Sequence, residues 1–229
     1  MKNLDNQIHY WNRIGPSKPF AHPVNVERLA GLLHADSSIL DFGCGYGRVL
    51  GSLRNHGYTN LIGVDPAPSM VDAARVQFPG ISFQQLIDSP NLTLDTASVD
   101  AVLLFAVLTC VPSDEGQHSI IREISRVLRP SGLLYISDLW IQTDTRNVER
   151  YDRDLSKYGT YGIFDLPEGV TLRHNDRHWI ETLTTDYDVL ALDEIVVQTM
   201  NGHSASGFQW FGLKQSVLSA ELDTVDDQS

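Results

Sequence analysis

Two aspartates and three glycines in the first third of the chain have the residue types and spacing of a ligand-binding turn. Asp41 stands two residues before Gly43, and Gly43, Gly45 and Gly47 alternate with other residues. Because glycine has no Cβ, a ligand can lie directly on such a turn and meet main-chain N–H groups. Asp65 follows at about the separation at which a carboxylate reaches the ribose hydroxyls of a bound nucleotide. The pattern predicts a site for a nucleoside-type ligand.

The elements around this turn predict a strand–helix–strand unit. Residues 37–42 form a short, mostly apolar run, which is typical of a strand in a parallel sheet. Residues 46–56 have a helical pattern that Gly57 closes, and residues 60–64 form a second apolar strand ending at Asp65. The glycines therefore lie between a strand and the positive end of a helix.

The glycine spacing separates two classes of ligand. A dinucleotide-binding turn has the pattern G-x-G-x-x-G, but Arg48 occupies the third glycine position and Gly47 comes one residue early. The observed D-x-G-x-G-x-G resembles the first motif of class I S-adenosylmethionine (SAM)-dependent methyltransferases. In that family the acid lies near the methionine amino group, and the glycine backbone lies under the methionine and ribose. The resemblance implies that SAM is the cofactor and that the turn residues contact it, namely Asp41, Gly43, Cys44, Gly45, Gly47 and Arg48.

The resemblance extends by motif over residues 24–138. It implies that Asp65 and Pro66 meet the ribose; the alternative role for Asp65 is the cap of a helix predicted at 69–77. Met70, near the start of that helix, would border the adenine. The choice between Asp65 as ribose ligand and as helix cap is left to the structure.

The segments after the third and fourth strands complete the predicted cofactor site. The family often has a Gly-Asp pair after its third strand, predicted here at 81–86, and this chain lacks it. Asp88 or the backbone of Leu86 would meet the adenine amino group instead. Asp100 and the apolar run after it resemble the family's fourth motif, which places three residues beside the sulfonium, namely Phe105, Ala106 and Val107.

The implied fold is an α/β, Rossmann-like sheet of seven strands in the order 3-2-1-4-5-7-6, with strand seven antiparallel and helices on both faces. A helix is predicted at 114–128 with Ser113 as its cap, followed by the fifth strand at 133–137. The last helix is predicted at 175–185 with Asn175 as its cap. A final hairpin of residues 187–199 and 208–213 would end a single methyltransferase domain over residues 1–229.

Three stretches lie outside the shared motifs. Residues 1–23 are expected either to close over the cofactor as a lid, using Tyr10, Arg13 and His22, or only to pack aromatic side chains onto the domain. Residues 139–173, where the strand–helix alternation lapses, are expected to be a substrate-recognition insertion or a structural cap. Residues 221–229 carry four acids and are expected to form an acidic tail.

Methyl transfer from a sulfonium is an in-line displacement in which SAM supplies the electrophile, so the protein must align the acceptor. A hydroxyl or protonated amine acceptor also needs a base. Asp138 follows the fifth strand, and the other candidates are His174, His178, His203 and Tyr161. His174 and His178 are four residues apart, but no H-E-x-x-H motif is present, so a metal site is not predicted.

Composition limits the class of acceptor. The 229 residues have a net charge of -12 and no basic block, which disfavours a nucleic-acid substrate. The two cysteines, Cys44 and Cys110, suit a reducing cytoplasm, and neither a signal-peptide pattern nor a membrane-length apolar run is present. We expect a cytoplasmic enzyme with a small-molecule acceptor. The alternatives are an NAD-dependent oxidoreductase on a similar fold and a SAM-binding module without catalysis; the sequence does not predict the oligomeric state.

Overall fold

Nine strands form two sheets in the computed structural model, which describes residues 4–216. The strands are β1 (Ile39–Phe42), β2 (Leu61–Asp65), β3 (Ser82–Gln85), β4 (Val99–Phe105), β5 (Leu128–Leu139), β6 (Ile163–Asp165), β7 (Thr171–Arg173), β8 (Tyr187–Gln198) and β9 (Ser204–Lys214). The large sheet has the order β3-β2-β1-β4-β5-β9-β8, and β6 and β7 pair separately. Strands β1 to β5 pair in parallel, whereas β9 is antiparallel to both β5 and β8. With β8 and β9 counted as the sixth and seventh strands, the predicted order is confirmed.

Seven α-helices accompany the sheet within the described residues. They are α1 (Ile8–Ile14), α2 (Val26–Leu32), α3 (Arg48–Asn55), α4 (Pro68–Gln77), α5 (Asp114–Val127), α6 (Thr145–Tyr158) and α7 (Arg177–Leu183). None of the helices between residues 4 and 216 is both long enough and apolar enough to cross a membrane.

Alternate residues along each central strand point to opposite faces of the sheet and fill two separate cores. On one face, side chains such as Leu40, Val102 and Ile136 pack with apolar residues of α5 and α7. On the other face, Ile39 and Leu103 pack with residues of α2, α3 and α4. Because both faces are covered, the carboxyl ends of the parallel strands form the accessible edge where such sheets bind ligands.

Several predicted boundaries are wrong, and each has a local cause. The last helix starts after Asp176, whose side chain accepts a hydrogen bond from Trp179 N at 2.7 Å, and not after Asn175. Asn175 instead forms an isolated bridge with Trp140. The fifth strand begins at Leu128, directly after α5, and not at residue 133. The predicted Ser113 cap of α5 is confirmed, since Ser113 Oγ accepts from Gly116 N at 2.9 Å.

The two stretches flanking the sheet edge are ordered elements. Residues 139–173 contain the 14-residue helix α6 and the β6–β7 hairpin, where no regular element was predicted. Near the amino terminus, Asn12 binds α4: its side chain accepts from Ser69 N at 2.8 Å, and its carbonyl accepts from Ser69 Oγ at 2.7 Å. Gln7 Nε2 donates to the carbonyl of Thr171 at 2.7 Å. The segment around α1 thus crosses from α4 to β7, and the predicted tail at 221–229 lies outside the described residues.

Candidate active site

Two adjoining cavities lie at the carboxyl edge of the sheet. The turn cavity, about 150 Å³, is lined by the glycine turn and by the ends of β1, β2 and β4. The α6 cavity, about 670 Å³, is lined by α6, the β6–β7 region and the connection between β8 and β9. Four residues line both cavities, namely Trp11, Phe20, Ala106 and Cys110. A group held in one cavity can therefore meet a group held in the other.

The backbone of the glycine turn has left-handed conformations that side chains rarely adopt. Gly43 has φ +75°, and a Cβ there would lie 2.5 Å from Val107 Cγ2. Gly45 has φ +53°, but the nearest atom to its Cβ position would be Met70 Cε at 3.5 Å. Gly43 is therefore required for packing, whereas Gly45 keeps the surface of the turn cavity bare.

The side chain of Asp65 joins the glycine turn to the segment before α4, and Asp65 is not the N-cap residue of that helix, which is Ala67. Its Oδ1 accepts from Ala67 N at 2.9 Å, next to the start of α4, and its Oδ2 accepts from Gly45 N at 2.9 Å. Burial raises the pKa of Asp65 to about 6, and the two backbone N–H groups oppose that rise. Because a carboxylate offers about four acceptor positions, it retains acceptor capacity toward the cavity that it lines.

Asp41 and Arg48 line the turn cavity with opposite charges, and neither side chain forms a hydrogen bond or a close ion pair within residues 4–216. Asp41 is 1% exposed, and neither of its oxygens has a hydrogen-bond partner among residues 4–216. Burial raises its pKa to about 7, Arg48 lowers it and Asp65 raises it further. Arg48 is half-buried, and no carboxylate of the described residues lies within 4.0 Å of its guanidinium. Buried charges without partners are costly, so this pair fits a ligand that brings an ammonium and a carboxylate of its own.

The histidines of the α6 cavity differ in burial and partners. His22 is buried with Nδ1 3.0 Å from Ser137 Oγ, and burial, reinforced by Arg48, lowers its pKa to about 4. His174 is also buried, its Nδ1 contacts the Tyr151 hydroxyl, and burial lowers its pKa to about 3. Both rings are therefore neutral at neutral pH and able to accept a proton. His203 lies on the exposed rim of the same cavity.

Most of the predicted cofactor residues line the turn cavity, namely Asp41, Gly43, Cys44, Gly45, Arg48, Asp65, Pro66, Met70, Phe105, Ala106 and Val107. Gly47 does not line it and lies at the start of α3 as its N-cap residue. His22, predicted at the cofactor, lines the α6 cavity instead.

Three other predicted cofactor contacts lie away from the cavities. Leu86, whose backbone was the predicted contact, lines neither cavity, and its N–H donates to the Asp65 carbonyl at 3.0 Å. Asp88 is exposed and accepts from Asn91 Nδ2 at 2.8 Å. Ser89 lines the turn cavity in their place. Tyr10 is buried behind Trp11, its ring centroid 5.0 Å from that of Trp11. Successive residues of a helix point about 100° apart, so Trp11 faces the cavities and Tyr10 does not.

Three of the predicted bases do not line either cavity. The Asp138 carboxylate accepts from Leu139 N at 2.7 Å, from Thr109 N at 3.2 Å and from the Thr109 hydroxyl, and so fixes the turn after β4. Burial raises its pKa to about 6. His178 is exposed on α7, and Tyr161 packs on the edge of another ring, its centroid 5.1 Å from that of Tyr151. His174 and His203 are the predicted bases that the structure brings to the α6 cavity.

Three arginines on one face of α6 were not predicted as site residues from the sequence. Arg146, Arg150 and Arg153 recur at helical spacing and all line the α6 cavity. That spacing is visible in the sequence, but it becomes a signal only when a helix is predicted there. Within residues 4–216, no three His, Cys, Asp or Glu side chains are grouped so that they could hold a metal ion.

Comparisons with known proteins find methyltransferases. Residues 40–136 match the family described as methyltransferase domain. An uncharacterized methyltransferase of Oceanobacillus iheyensis is 29% identical over 121 residues, which cover 52% of this chain and 54% of that protein. The ubiquinone biosynthesis O-methyltransferase of Xanthomonas oryzae pv. oryzae is 33% identical over 140 residues, which cover 57% of this chain and 56% of that protein. The chain thus spans about half the length of the curated relatives it matches.

Similarity in three dimensions covers more of the chain. The crystal structure of a SAM-dependent methyltransferase from Methanosarcina mazei has a TM-score of 0.77 and 24% identity to this chain. The superposition covers 84% of this chain and 98% of that one. At this identity the likeness establishes the fold.

Proposed function

Since the chain belongs to the class I SAM-dependent methyltransferases, we propose that it transfers the methyl group of SAM to a small molecule bound in the α6 cavity and releases S-adenosylhomocysteine (SAH). The observation that carries this proposal is the pair of unpartnered charges, Asp41 and Arg48, at the turn cavity. The methionine end of SAM has an ammonium and a carboxylate that complement them. A nicotinamide dinucleotide would instead bring its anionic pyrophosphate toward Asp41, so this pair disfavours the oxidoreductase alternative.

The other residues of the turn cavity fit the nucleoside part of SAM. Asp65 has acceptor capacity for ribose hydroxyls, and the bare backbone at Gly45 leaves space for a ligand. SAM supplies an electrophilic methyl group when bound, and the chain's own residues bind and orient the two partners. Ala106 and Cys110, which line both cavities, mark where the methyl donor and the acceptor would meet.

The size and walls of the α6 cavity support a small acceptor. Its volume of about 670 Å³ lies within the range of small-molecule sites. Of oxygen, nitrogen and carbon, we propose oxygen as the accepting atom, because the Xanthomonas relative is named as an O-methyltransferase. For a hydroxyl acceptor, His174 and His203 are the candidate bases, since both line this cavity. Burial lowers the pKa of His22 to about 4 and that of His174 to about 3, which makes each of these two rings a weak base.

Asp65→Ala should weaken SAH binding by about 1–3 kcal/mol, because hydrogen bonds from the ribose to a charged acceptor are lost. Isothermal titration calorimetry measures the change. Asp88→Ala is the matched control, since Asp88 is exposed and lines neither cavity, and it should bind SAH as wild type does. Unchanged affinity in Asp65→Ala would refute the ribose assignment.

The affinity for SAH should rise with pH and level off above about pH 7. The pKa of Asp41 in the free protein is about 7, so below that pH the carboxyl must lose a proton before it pairs with the ligand's ammonium. The apparent association constant should therefore change by up to about tenfold per pH unit below the pKa. Calorimetric titrations between about pH 5.5 and pH 8 test this in wild type and in Asp41→Asn, which should respond less steeply. A wild-type affinity independent of pH would exclude Asp41 from the ammonium site.

Two further measurements separate the competing functions. NADH fluorescence during titration with protein should not change if the turn cavity binds SAM, and saturable NADH binding would favour the oxidoreductase. If SAH binds but SAM is not consumed with any acceptor of a broad hydroxylated panel, the chain is better described as a SAM-binding module without catalysis.

A further inference from the structure

The three arginines that α6 presents to the α6 cavity differ in their counter-ions. Arg153 binds both oxygens of Asp154, with Nε–Oδ1 at 2.9 Å and Nη2–Oδ2 at 2.6 Å. Arg146 Nε lies 3.7 Å from Asp144 Oδ1. No carboxylate of residues 4–216 lies within 4.0 Å of the Arg150 guanidinium. Arg150 therefore brings a positive charge to the cavity that the described part of the chain does not pair.

Aromatic rings hold this guanidinium in place. Its Cζ atom lies 3.6 Å from the centroid of the Phe164 ring and 5.8 Å from that of Tyr151. Both rings are completely buried, so their positions are fixed by the surrounding packing. The Nε atom of Arg150 is shielded from solvent and has no hydrogen-bond partner within the described chain. The Tyr151 hydroxyl interacts with the guanidinium as a hydrogen-bond neighbour, and the other in-plane N–H groups of an arginine stacked in this way are left for an acceptor at the edge of the plane.

The groups next to Arg150 do not supply the missing negative charge. His174 is neutral, because burial lowers its pKa to about 3, and burial also raises the pKa of the Tyr151 hydroxyl, which keeps it protonated. Glu149, which precedes Arg150 and lines the cavity, is exposed and lies beyond ion-pair distance.

The remaining acids of the α6 cavity have partners elsewhere. Asp165 accepts from Tyr158 at 2.6 Å and pairs with Lys157. Glu168 Oε1 lies 3.7 Å from Lys18 Nζ. A desolvated guanidinium in these surroundings is best complemented by an anion that enters with the ligand.

The rest of the cavity wall is largely apolar and includes Trp11, Phe20, Leu139, Leu172 and Met200. We propose that the methyl acceptor is a small carboxylic acid with an apolar or aromatic body, and that Arg150 binds its carboxylate. This inference rests on the proposed function, in which the α6 cavity holds the acceptor. A planar carboxylate matches the fork of a guanidinium and can accept two parallel hydrogen bonds from it.

The test compares acids with their own uncharged amides on the SAH-saturated protein. Calorimetry would measure the binding of 4-hydroxybenzoate, 4-hydroxycinnamate and indole-3-acetate, each beside its primary amide. At least one acid should bind about tenfold or more tightly than its amide, as expected for a charge-assisted bidentate contact. Arg150→Gln should abolish that preference, and Arg150→Lys should retain part of it, because lysine keeps the charge without the fork.

Arg146→Gln is the matched control, since it removes the same charge one turn earlier on the same face of α6. It should change the preference less than about threefold, because its guanidinium is more exposed and screened. The inference is overturned if amides bind as tightly as acids, if no acid binds, or if Arg150→Gln retains the preference. SAH binding is measured for every variant, and its failure in wild type would contradict the proposed function itself.

Discussion

Asp41→Asn should weaken SAH binding by about 2–5 kcal/mol and, at the same time, stabilise the free protein. Binding is weakened because the ligand's ammonium would be buried without a charged partner. The free protein gains because Asp41 is 1% exposed, neither of its oxygens is hydrogen-bonded within residues 4–216, and its pKa is raised to about 7. Each pKa unit corresponds to about 1.4 kcal/mol, so the ionised carboxylate costs on the order of 3–5 kcal/mol.

The stabilising effect of Asp41→Asn should depend on pH in a defined direction. The folded-state pKa lies above the unfolded value, so the unfolded chain ionises first and folding stability falls as pH rises between the two values. The variant's advantage should therefore be largest at about pH 8, where it should raise Tm by several degrees, and should disappear near pH 4.

Differential scanning fluorimetry of the free protein and calorimetric titration with SAH measure the two effects of Asp41→Asn. Asp65→Asn is the comparison variant, because Asp65 accepts hydrogen bonds from Gly45 N and Ala67 N, and it should therefore gain less stability than Asp41→Asn. A free Asp41→Asn protein less stable than wild type at about pH 8, or an unchanged affinity, would contradict the assignment.

Gly45→Val should reduce SAH affinity at least about a hundredfold. Gly45 has φ +53°, and a β-branched residue in that region costs about 1–3 kcal/mol of strain. Its Cβ would lie 3.5 Å from Met70 Cε, so the two methyl groups beyond it would enter the space between the turn and Met70. Both residues line the turn cavity, whose volume is only about 150 Å³.

Gly57→Val separates the loss of space from the backbone strain. Gly57 has φ +92°, and no atom lies within 4 Å of its Cβ position, so valine there is strained but meets nothing. Both variants should lower Tm by several degrees, and only Gly45→Val should lose SAH binding in calorimetry. Wild-type affinity in Gly45→Val would show that the ligand does not lie on the turn.

The sequence was informative where chemistry depends on local spacing. Gly43, Gly45 and the acids Asp41 and Asp65 are close in sequence to the strand ends that carry them, and the structure brings these four residues to one cavity. The sheet order followed from the family resemblance and is confirmed. These features could be predicted because a strand followed by a tight turn and a helix determines where the few residues between them lie.

The sequence failed where a side chain's role depends on distant partners. Asp138 was predicted as a base because it lies near the carboxyl end of the fifth strand, but its carboxylate accepts hydrogen bonds from Thr109, 29 residues earlier. Tyr10 was predicted at the cofactor, but helix α1 turns the neighbouring Trp11 toward the cavities instead. Likewise, whether a carboxylate lies within ion-pair distance of the Arg150 guanidinium depends on where the fold places the acids of other segments, which the sequence does not show.

The most direct test of the proposed SAM site is calorimetry on the wild-type protein with SAH, 5′-methylthioadenosine and NADH. Methylthioadenosine keeps the nucleoside but lacks the ammonium and carboxylate that Asp41 and Arg48 are proposed to bind. We expect SAH to bind at least about thirtyfold more tightly than methylthioadenosine, and NADH not to bind measurably. Equal affinity for SAH and methylthioadenosine, or no binding of SAH, would contradict the proposed SAM site.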